Sequence, residues 1–330
     1  MTQLSHKFPG IIFLAILAIV FVGCENNDED PNAELQARLD AQKIEIEDYL
    51  AENNINTDEV NGYYLETITE NPDGRAPATN NVVAIYYELS TLDGQLIEKL
   101  EEAAGDAPAK FLFNQQQIIL PIALSDIISN MHKGEEVRAY LPFSIAYQGL
   151  SLGNTLSAYS AIIMKVKLAE VLSEAEQRLA EDAQIKAYLA ENGLQNADSL
   201  ARGVYYIETA AGSEPEVEST SRVGLRYKGT FLDGTEFDSN MDTGDPIFTL
   251  TLGQNPQQAI PGFETAVGEM SLNEEGTTLI PSHEAYGTSL FAAPYELMED
   301  LVNQGYGRPA YIAIKPYSIL RFDLEVEGIN

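Results

Sequence analysis

Apolar residues along this chain follow two rhythms, and each rhythm appears twice. Ile85-Tyr87-Leu89 and Leu225-Tyr227 step at period two, as do Ile162-Met164-Val166-Leu168 and Leu320-Phe322-Leu324-Val326, the spacing of half-buried strands. Ahead of each strand set, Leu35, Leu39, Ile46 and Leu50, and later Leu179, Tyr188 and Leu189, approximate one apolar face of a helix. Ser173 with Glu176 three residues on is a capping-box start, and Gly193 suits the C-terminal stop of the same helix. Asp93-Gly94 and Asp233-Gly234 mark tight turns between strands. A further helix falls near 120–131 in one unit and 259–270 in the other. These elements predict an α+β fold, an antiparallel sheet with a helix packed on it, built twice.

The two units also match residue by residue. Tyr49-Leu-Ala-Glu-Asn-Asn54 reappears as Tyr188-Leu-Ala-Glu-Asn-Gly193, and Gly62-Tyr-Tyr-Leu-Glu-Thr67 as Val204-Tyr-Tyr-Ile-Glu-Thr209. The spacing from Met131 to Pro142 to Tyr147 equals that from Met270 to Pro281 to Tyr286, and both units close on Tyr-Ser, at Tyr159-Ser160 and Tyr317-Ser318. So many matches in one order indicate a duplicated domain. The expected units are 33–172 and 173–330, each opening on its leading helix.

The first 32 residues belong to neither unit. Ile11 to Val22 is an apolar run preceded by Lys7 and followed by Gly23 and Cys24, too short to cross a bilayer core but suited to the apolar region of an export signal. Phe21-Val22-Gly23-Cys24 resembles the lipobox of bacterial lipoproteins, which implies a signal peptide over 1–23 and lipidation of Cys24. Several acyl chains on one residue anchor a protein stably to a membrane. Residues 24–32 are acidic and polar, and read as a solvated tether. The acidic residues after the cysteine resemble a surface-export signal of some Gram-negative bacteria; equally, they read as a plain spacer.

Composition narrows the chemistry. The 330 residues carry 19 Lys plus Arg against 51 Asp plus Glu, a net charge of -32. That excess repels a phosphate backbone, so nucleic acid is excluded as a partner. Cys24 is the single cysteine and forms no internal disulfide, and His6, His132 and His283 offer no zinc spacing.

The second unit carries a recognisable set of motifs. Tyr227-Lys-Gly-Thr-Phe-Leu-Asp-Gly-Thr-Glu-Phe-Asp-Ser239, Leu252-Gly253, Ala259-Ile-Pro-Gly-Phe-Glu264, Met270, Ala285-Tyr-Gly287 and Leu320-Arg-Phe-Asp323 resemble the FKBP-type peptidyl-prolyl cis-trans isomerases. The resemblance implies a five-to-six-stranded antiparallel sheet wrapped on a short helix, with a shallow aromatic pocket that receives a prolyl ring. Carried over, the pocket is Tyr227, Phe237, Asp238, Phe248, Ile260, Phe263, Tyr286 and Phe322. Phe263 forms the floor and Phe248 and Phe322 the walls. The Ile260 N–H and Tyr286 hydroxyl contact substrate carbonyls, and Asp238 sits beside the twisting amide.

Those residue types suit the reaction. Rotation about an X-Pro amide breaks no bond, so no nucleophile, metal or cofactor is required. A twisted amide loses its charge separation, and an apolar aromatic pocket favours it over the planar form. The implied function is a folding catalyst acting on proline-containing polypeptides, lipid-anchored in the bacterial envelope at a membrane, the outer membrane on its periplasmic or surface face. The competing class is a non-catalytic FKBP-like chaperone or assembly lipoprotein.

Two departures stand out. From Tyr286 to Tyr317 the second unit runs 31 positions, against 12 from Tyr147 to Tyr159, so 19 residues enter the loop that overhangs the family's pocket. Within it, Pro294 to Gly305 forms a candidate amphipathic helix through Leu297, Met298, Leu301 and Val302, positioned to gate the site, bind a client or block access. The first unit keeps Tyr87 and Tyr147 but has Ile97, Glu98, Leu124 and Met164 at the other matched pocket positions. It reads as a degenerate domain.

Overall fold

The computed structural model describes residues 31–114, 119–287 and 290–330. The expected signal peptide and Cys24 lie outside the described residues. So does most of the expected tether, whose last residues, Pro31 and Asn32, already begin helix α1 (Pro31–Glu52). Contacts divide the chain into Met1–Arg38 and Leu39–Asn330. In the first of these the described residues are the exposed opening turns of α1, where Arg38 faces Glu34 at 3.7 Å.

Two seven-stranded antiparallel sheets follow the same path. The first runs Glu59–Val60, Tyr63–Thr69, Glu136–Leu141, Ile162–Leu172, Asn81–Thr91 and Leu96–Leu100, with Ala109–Phe113 also paired to Asn81–Thr91. The second runs, in the same relative order, Asp198–Ser199, Tyr205–Ala210, Glu275–Ile280, Leu320–Ile329, Arg222–Phe231 and Glu236–Ser239, with Phe248–Thr251 also on Arg222–Phe231. The fold is α+β, one sheet-and-helix unit built twice. Each sheet exceeds the expected five to six strands because a two-residue edge pairing, too short for any sequence rhythm, extends it. The Asp-Gly turns stand where expected, with Gly94 and Gly234 at φ of 89° and 88°, a conformation glycine adopts without a Cβ penalty.

Strand alternation sends successive residues to opposite faces, and both faces are covered. On the inner face of the first sheet, Ile85, Leu89, Met164 and Val166 pack with Leu124, Ile127 and Ile128 of α2 (Leu124–Ser129). The second sheet buries Leu225, Phe322 and Leu324 against Phe263, Ala266 and Val267 of α4 (Pro261–Val267). The outer faces take the leading helices. Ile46 and Leu50 of α1 pack on Tyr64, Tyr140 and Ile163, while Ile185 and Leu189 of α3 (Glu174–Glu191) pack on Tyr205, Ile207 and Leu279. Ser173 caps α3 reciprocally with Glu176.

The leading helices correct part of the expected pattern. Leu35 is exposed and Leu179 is 70% exposed. The buried seam of α3 is Gln177, Glu181, Ile185 and Leu189, one residue per turn, and its first two members are polar. They are buried because they are bonded: Glu181 accepts from Gln177 at 2.8 Å and from the N–H and hydroxyl of Ser282 at 2.9 and 2.7 Å. In α1, Gln42 occupies the matched position, accepting the Phe143 N–H at 2.9 Å. Both clamps hold the loop that leads to the tyrosine at 147 or 286.

The helix within the 19-residue surplus packs on the first repeat. This helix, α5 (Leu297–Asn303), buries Leu297, Met298 and Leu301, as the amphipathic stripe predicts. Those residues, with Leu290, Phe291, Ala292 and Ala293, join the core of the first sheet. Phe291–Ala292 pairs in parallel with Ile119–Leu120 of the first repeat. The return leg, through Ala310 and Ile314, rejoins the second core.

Candidate active site

Strand pairing assembles the expected pocket residues from distant parts of the second repeat. Gly229 lies opposite both Phe322 and Asp238, and Leu225 lies opposite Phe248. Helix α4 contributes Phe263 from its first turn, with Ile260 as its N-cap and Pro261 at the first helical position, where a missing N–H costs nothing. Tyr286 follows the loop clamped by Glu181.

The rings pack edge to face, the arrangement their quadrupoles favour. Centroids of Phe263 and Phe322 are 5.1 Å apart at 86°, Phe237 and Phe322 5.6 Å at 87°, and Phe248 and Phe263 6.2 Å at 80°. Tyr227 meets Phe248 at 5.8 Å and Phe263 at 5.9 Å, again nearly perpendicular. Phe263 and Phe322 are buried, while Tyr227, Phe237, Phe248, Ile260 and Tyr286 are half-exposed and Asp238 is exposed. The result is an aromatic bowl with a closed floor and an open rim.

Gly229 was not singled out in the sequence, yet it is what lets the bowl exist. A Cβ there would stand 2.6 Å from Phe237 Cζ and 2.9 Å from Phe322 Cε1, inside van der Waals contact. The matched residue of the first repeat, opposite Met164 and Glu98 in the same register, is Leu89. Comparing the two repeats at that position would have exposed it.

Asp238 brings its carboxylate to Tyr227. The Tyr227 hydroxyl donates to Asp238 Oδ2 at 2.8 Å. Burial, then the hydrogen bond and negative charge of Asp238, push the Tyr227 hydroxyl well above its ordinary pKa. Burial and the same charge also raise Tyr286, opposed by Arg308. Both hydroxyls are therefore neutral donors at physiological pH. Among the described residues the Tyr286 hydroxyl and the Ile260 N–H form no hydrogen bond, which leaves two donors at the rim.

Arg226 on the neighbouring strand braces the loop after Asp238. Its guanidinium donates to the Asn240 carbonyl at 2.8 Å and the Asp242 carbonyl at 3.0 Å, and pairs with Glu327 at 2.6 Å. Buried Asn240 fixes the same loop by accepting the Tyr227 N–H at 2.6 Å and donating to the Leu225 and Pro246 carbonyls.

Residues 73–169 and 214–327 each match the family model of the FKBP-type peptidyl-prolyl cis-trans isomerases. The chain belongs to this family. It is a peptidyl-prolyl isomerase, a class that acts on proline-containing polypeptides. The FKBP-type isomerase FkpA of Aeromonas hydrophila is 29% identical over 196 residues, covering 56% of this chain and 71% of that one. An outer membrane protein MIP of Legionella longbeachae is 30% identical over 152 residues, 45% of this chain and 61% of its own. Among solved structures, the three FKBP domains of wheat FKBP73 align over 81% of this chain and 94% of that chain, at 14% identity and a TM-score of 0.33.

The first FKBP repeat lacks the bowl. By register, Ala109 stands where Phe248 does, both lying opposite a core residue of the central strand, Ile85 and Leu225. Ile97, Leu124 and Met164 replace the remaining phenylalanines, and Pro121, without an N–H, aligns with Ile260. What persists is polar: the Tyr87 hydroxyl donates to Glu98 at 2.6 Å, as Tyr227 does to Asp238.

Proposed function

We propose that catalysis resides in the second repeat, in the bowl of Tyr227, Phe237, Asp238, Phe248, Ile260, Phe263, Tyr286 and Phe322. The observation that carries this reading is the perpendicular ring cluster around Gly229, whose counterpart positions in the first repeat are filled by Leu89 and aliphatic side chains. The planar X-Pro amide resists rotation by about 18–20 kcal/mol. A prolyl ring seated on Phe263 between Phe248 and Phe322 removes the amide from water, where its charge-separated planar form is best solvated. The Ile260 N–H and Tyr286 hydroxyl hold the flanking carbonyls so that rotation is confined to one bond. Each tenfold of acceleration needs about 1.4 kcal/mol of preference for the twisted amide.

The same proposal places the mature chain in the bacterial envelope, at the outer membrane on its periplasmic or surface face, anchored through lipid on Cys24 after removal of residues 1–23. The lipobox-like Phe21-Val22-Gly23-Cys24 supports it, as does a relative named an outer membrane protein. The proposed domain limits are 33–172 and 173–330, with the tether ahead of them.

A protease-coupled or exchange-NMR assay on residues 25–330 tests the catalytic assignment. Phe237→Ala with Asp238→Ala abolishes most of the acceleration, whereas Ile97→Ala with Glu98→Ala leaves it intact. Activity that follows the first-repeat pair instead overturns the assignment. For the anchor, labelled palmitate enters the wild-type chain and not Cys24→Ser.

A further inference from the structure

We propose that the first repeat is a non-catalytic peptide receptor and that its ligand is the chain's own segment Leu290–Tyr295. The degenerate pocket is filled in cis by a proline-containing strand, so that clients meet only the bowl of the second repeat. That last clause rests on the catalytic assignment above; the docking itself does not.

The contacts are those of strand addition. Phe291 and Ala292 pair in parallel with Ile119 and Leu120, and the Ala293 N–H donates to the Leu120 carbonyl at 3.0 Å. Next along the segment, the Tyr147 hydroxyl donates to the Ala293 carbonyl. The Tyr295 N–H then donates to the Glu98 carboxylate at 3.2 Å. Pro294, itself buried, is thus bracketed by the two polar groups that the first repeat has kept, Tyr147 and Glu98. Tyr147 matches Tyr286 and Glu98 matches Asp238, so the segment sits where a substrate would, in a groove stripped of its aromatic cage.

Side chains set the specificity. Phe291 stacks on Phe111 at 4.7 Å and 24°. Ala292 and Ala293 are fully buried and leave no room for larger residues. The groove is therefore fitted to the pattern aromatic-Ala-Ala-Pro-aromatic, which Phe291-Ala-Ala-Pro-Tyr295 supplies. Strand pairing and hydrogen bonds on both sides of the proline immobilise it, the opposite of what an isomerase pocket requires. The arrangement also explains both departures in the sequence: the second repeat needs its extra residues to reach the groove, and the first repeat has lost rings that the segment would otherwise meet.

Hydrogen exchange on the 25–330 chain tests this, together with a labelled Leu-Phe-Ala-Ala-Pro-Tyr-Glu peptide. In the wild type the Ala293 and Tyr295 amides exchange as slowly as those of the strand Ile162–Leu172, and no peptide binds. Ala293→Arg, which cannot be seated, frees the segment; both amides then exchange at loop rates, and the vacated groove binds the peptide. Adding Tyr147→Phe weakens that binding about tenfold. Loop-rate exchange of Ala293 in the wild type, or a freed groove that takes no peptide, overturns the proposal. Should Ala293→Arg not fold, Tyr147→Phe alone decides: exchange at Ala293 rises about tenfold, and an unchanged rate overturns it. Phe237→Ala leaves the exchange pattern untouched, so the catalytic assignment and the docking fail separately.

Discussion

The carboxylate of Glu181 reaches from the leading helix of the second repeat to accept both the N–H and the hydroxyl of Ser282, 101 residues further along the chain. Gln42 makes the matched bond to the Phe143 N–H in the first repeat. The clamp needs an acceptor of that length, with no requirement for charge. Glu181→Gln should therefore cost under about 1 kcal/mol, while Glu181→Ala, which orphans buried donors on Ser282 and Gln177, should cost about 2 kcal/mol or more. Urea denaturation of the two variants checks this. Because the clamped loop leads to Tyr286, the alanine variant should also lose isomerase activity under conditions where it remains folded.

Gly229 offers a sharper test of the bowl. Gly229→Ala places a methyl against Phe237 and Phe322, and the rings must turn out of their perpendicular packing. We expect kcat/KM to fall at least about tenfold, with a stability loss of about 1–3 kcal/mol from overpacking. Loss of stability with full activity would show that the ring geometry is not what catalysis uses.

Tyr227 and Tyr286 should set the alkaline limit of activity. Burial and the Asp238 charge raise Tyr227 and Tyr286 above the ordinary value of 10.0, so each hydroxyl keeps its proton as pH rises through that value. Activity should stay flat on the alkaline side through pH 10 and decline only above it. Asp238→Asn removes the charge that helps hold Tyr227 up, so the decline should move to lower pH. A pH–rate profile of kcat/KM for both chains, with circular dichroism to confirm folding, measures the displacement.

Much of this architecture was legible because it depends on local signals repeated twice. Asp-Gly turns, period-two strands and the Ser173 capping box each encode their own conformation, and the family motifs bring the eight pocket residues together around one α4 helix. The leading helices depart from the hydrophobic pattern because their buried seams include Gln42, Gln177 and Glu181, polar residues that such a pattern assigns to solvent; Gln42 and Glu181 are bonded to partners 101 positions away, and Gln177 to Glu181. Gly229 was passed over since a close approach between a backbone and two rings leaves no trace in periodicity. The stripe Leu297, Met298 and Leu301 declared that one face of α5 is covered, but periodicity says nothing about what covers it, and the partner is in the other repeat.

Acid should weaken the junction between the repeats. Hydrogen bonds from the Ser173 N–H, then from Arg75 and the Ser173 hydroxyl, lower Glu176 to about 2 from 4.5. A depressed carboxylate contributes stability that is complete above its unfolded value and lost as pH falls through its folded one. The contribution should therefore fade between pH 4.5 and about 2. Glu176→Gln should be less stable than wild type at neutral pH and converge with it near pH 2, as followed by thermal melts across that range.

Tyr295 ties the filled groove to the rim of the open one. Its N–H is held by Glu98 of the first repeat, and its hydroxyl donates to the Tyr311 carbonyl on the return leg of the insertion. Tyr311 and Arg308, on that leg, both act electrostatically on Tyr286. Tyr295→Phe removes the second link and spares the first. The Ala293 amide should then remain as protected as in the wild type, while residues 308–312 exchange faster by about two- to tenfold, the range expected for one lost hydrogen bond. If the return leg positions Tyr286, kcat/KM should drop by a similar factor with little change in global stability. Unchanged kinetics alongside faster exchange would mean that the two repeats share a structural joint but that the pocket keeps its shape without it.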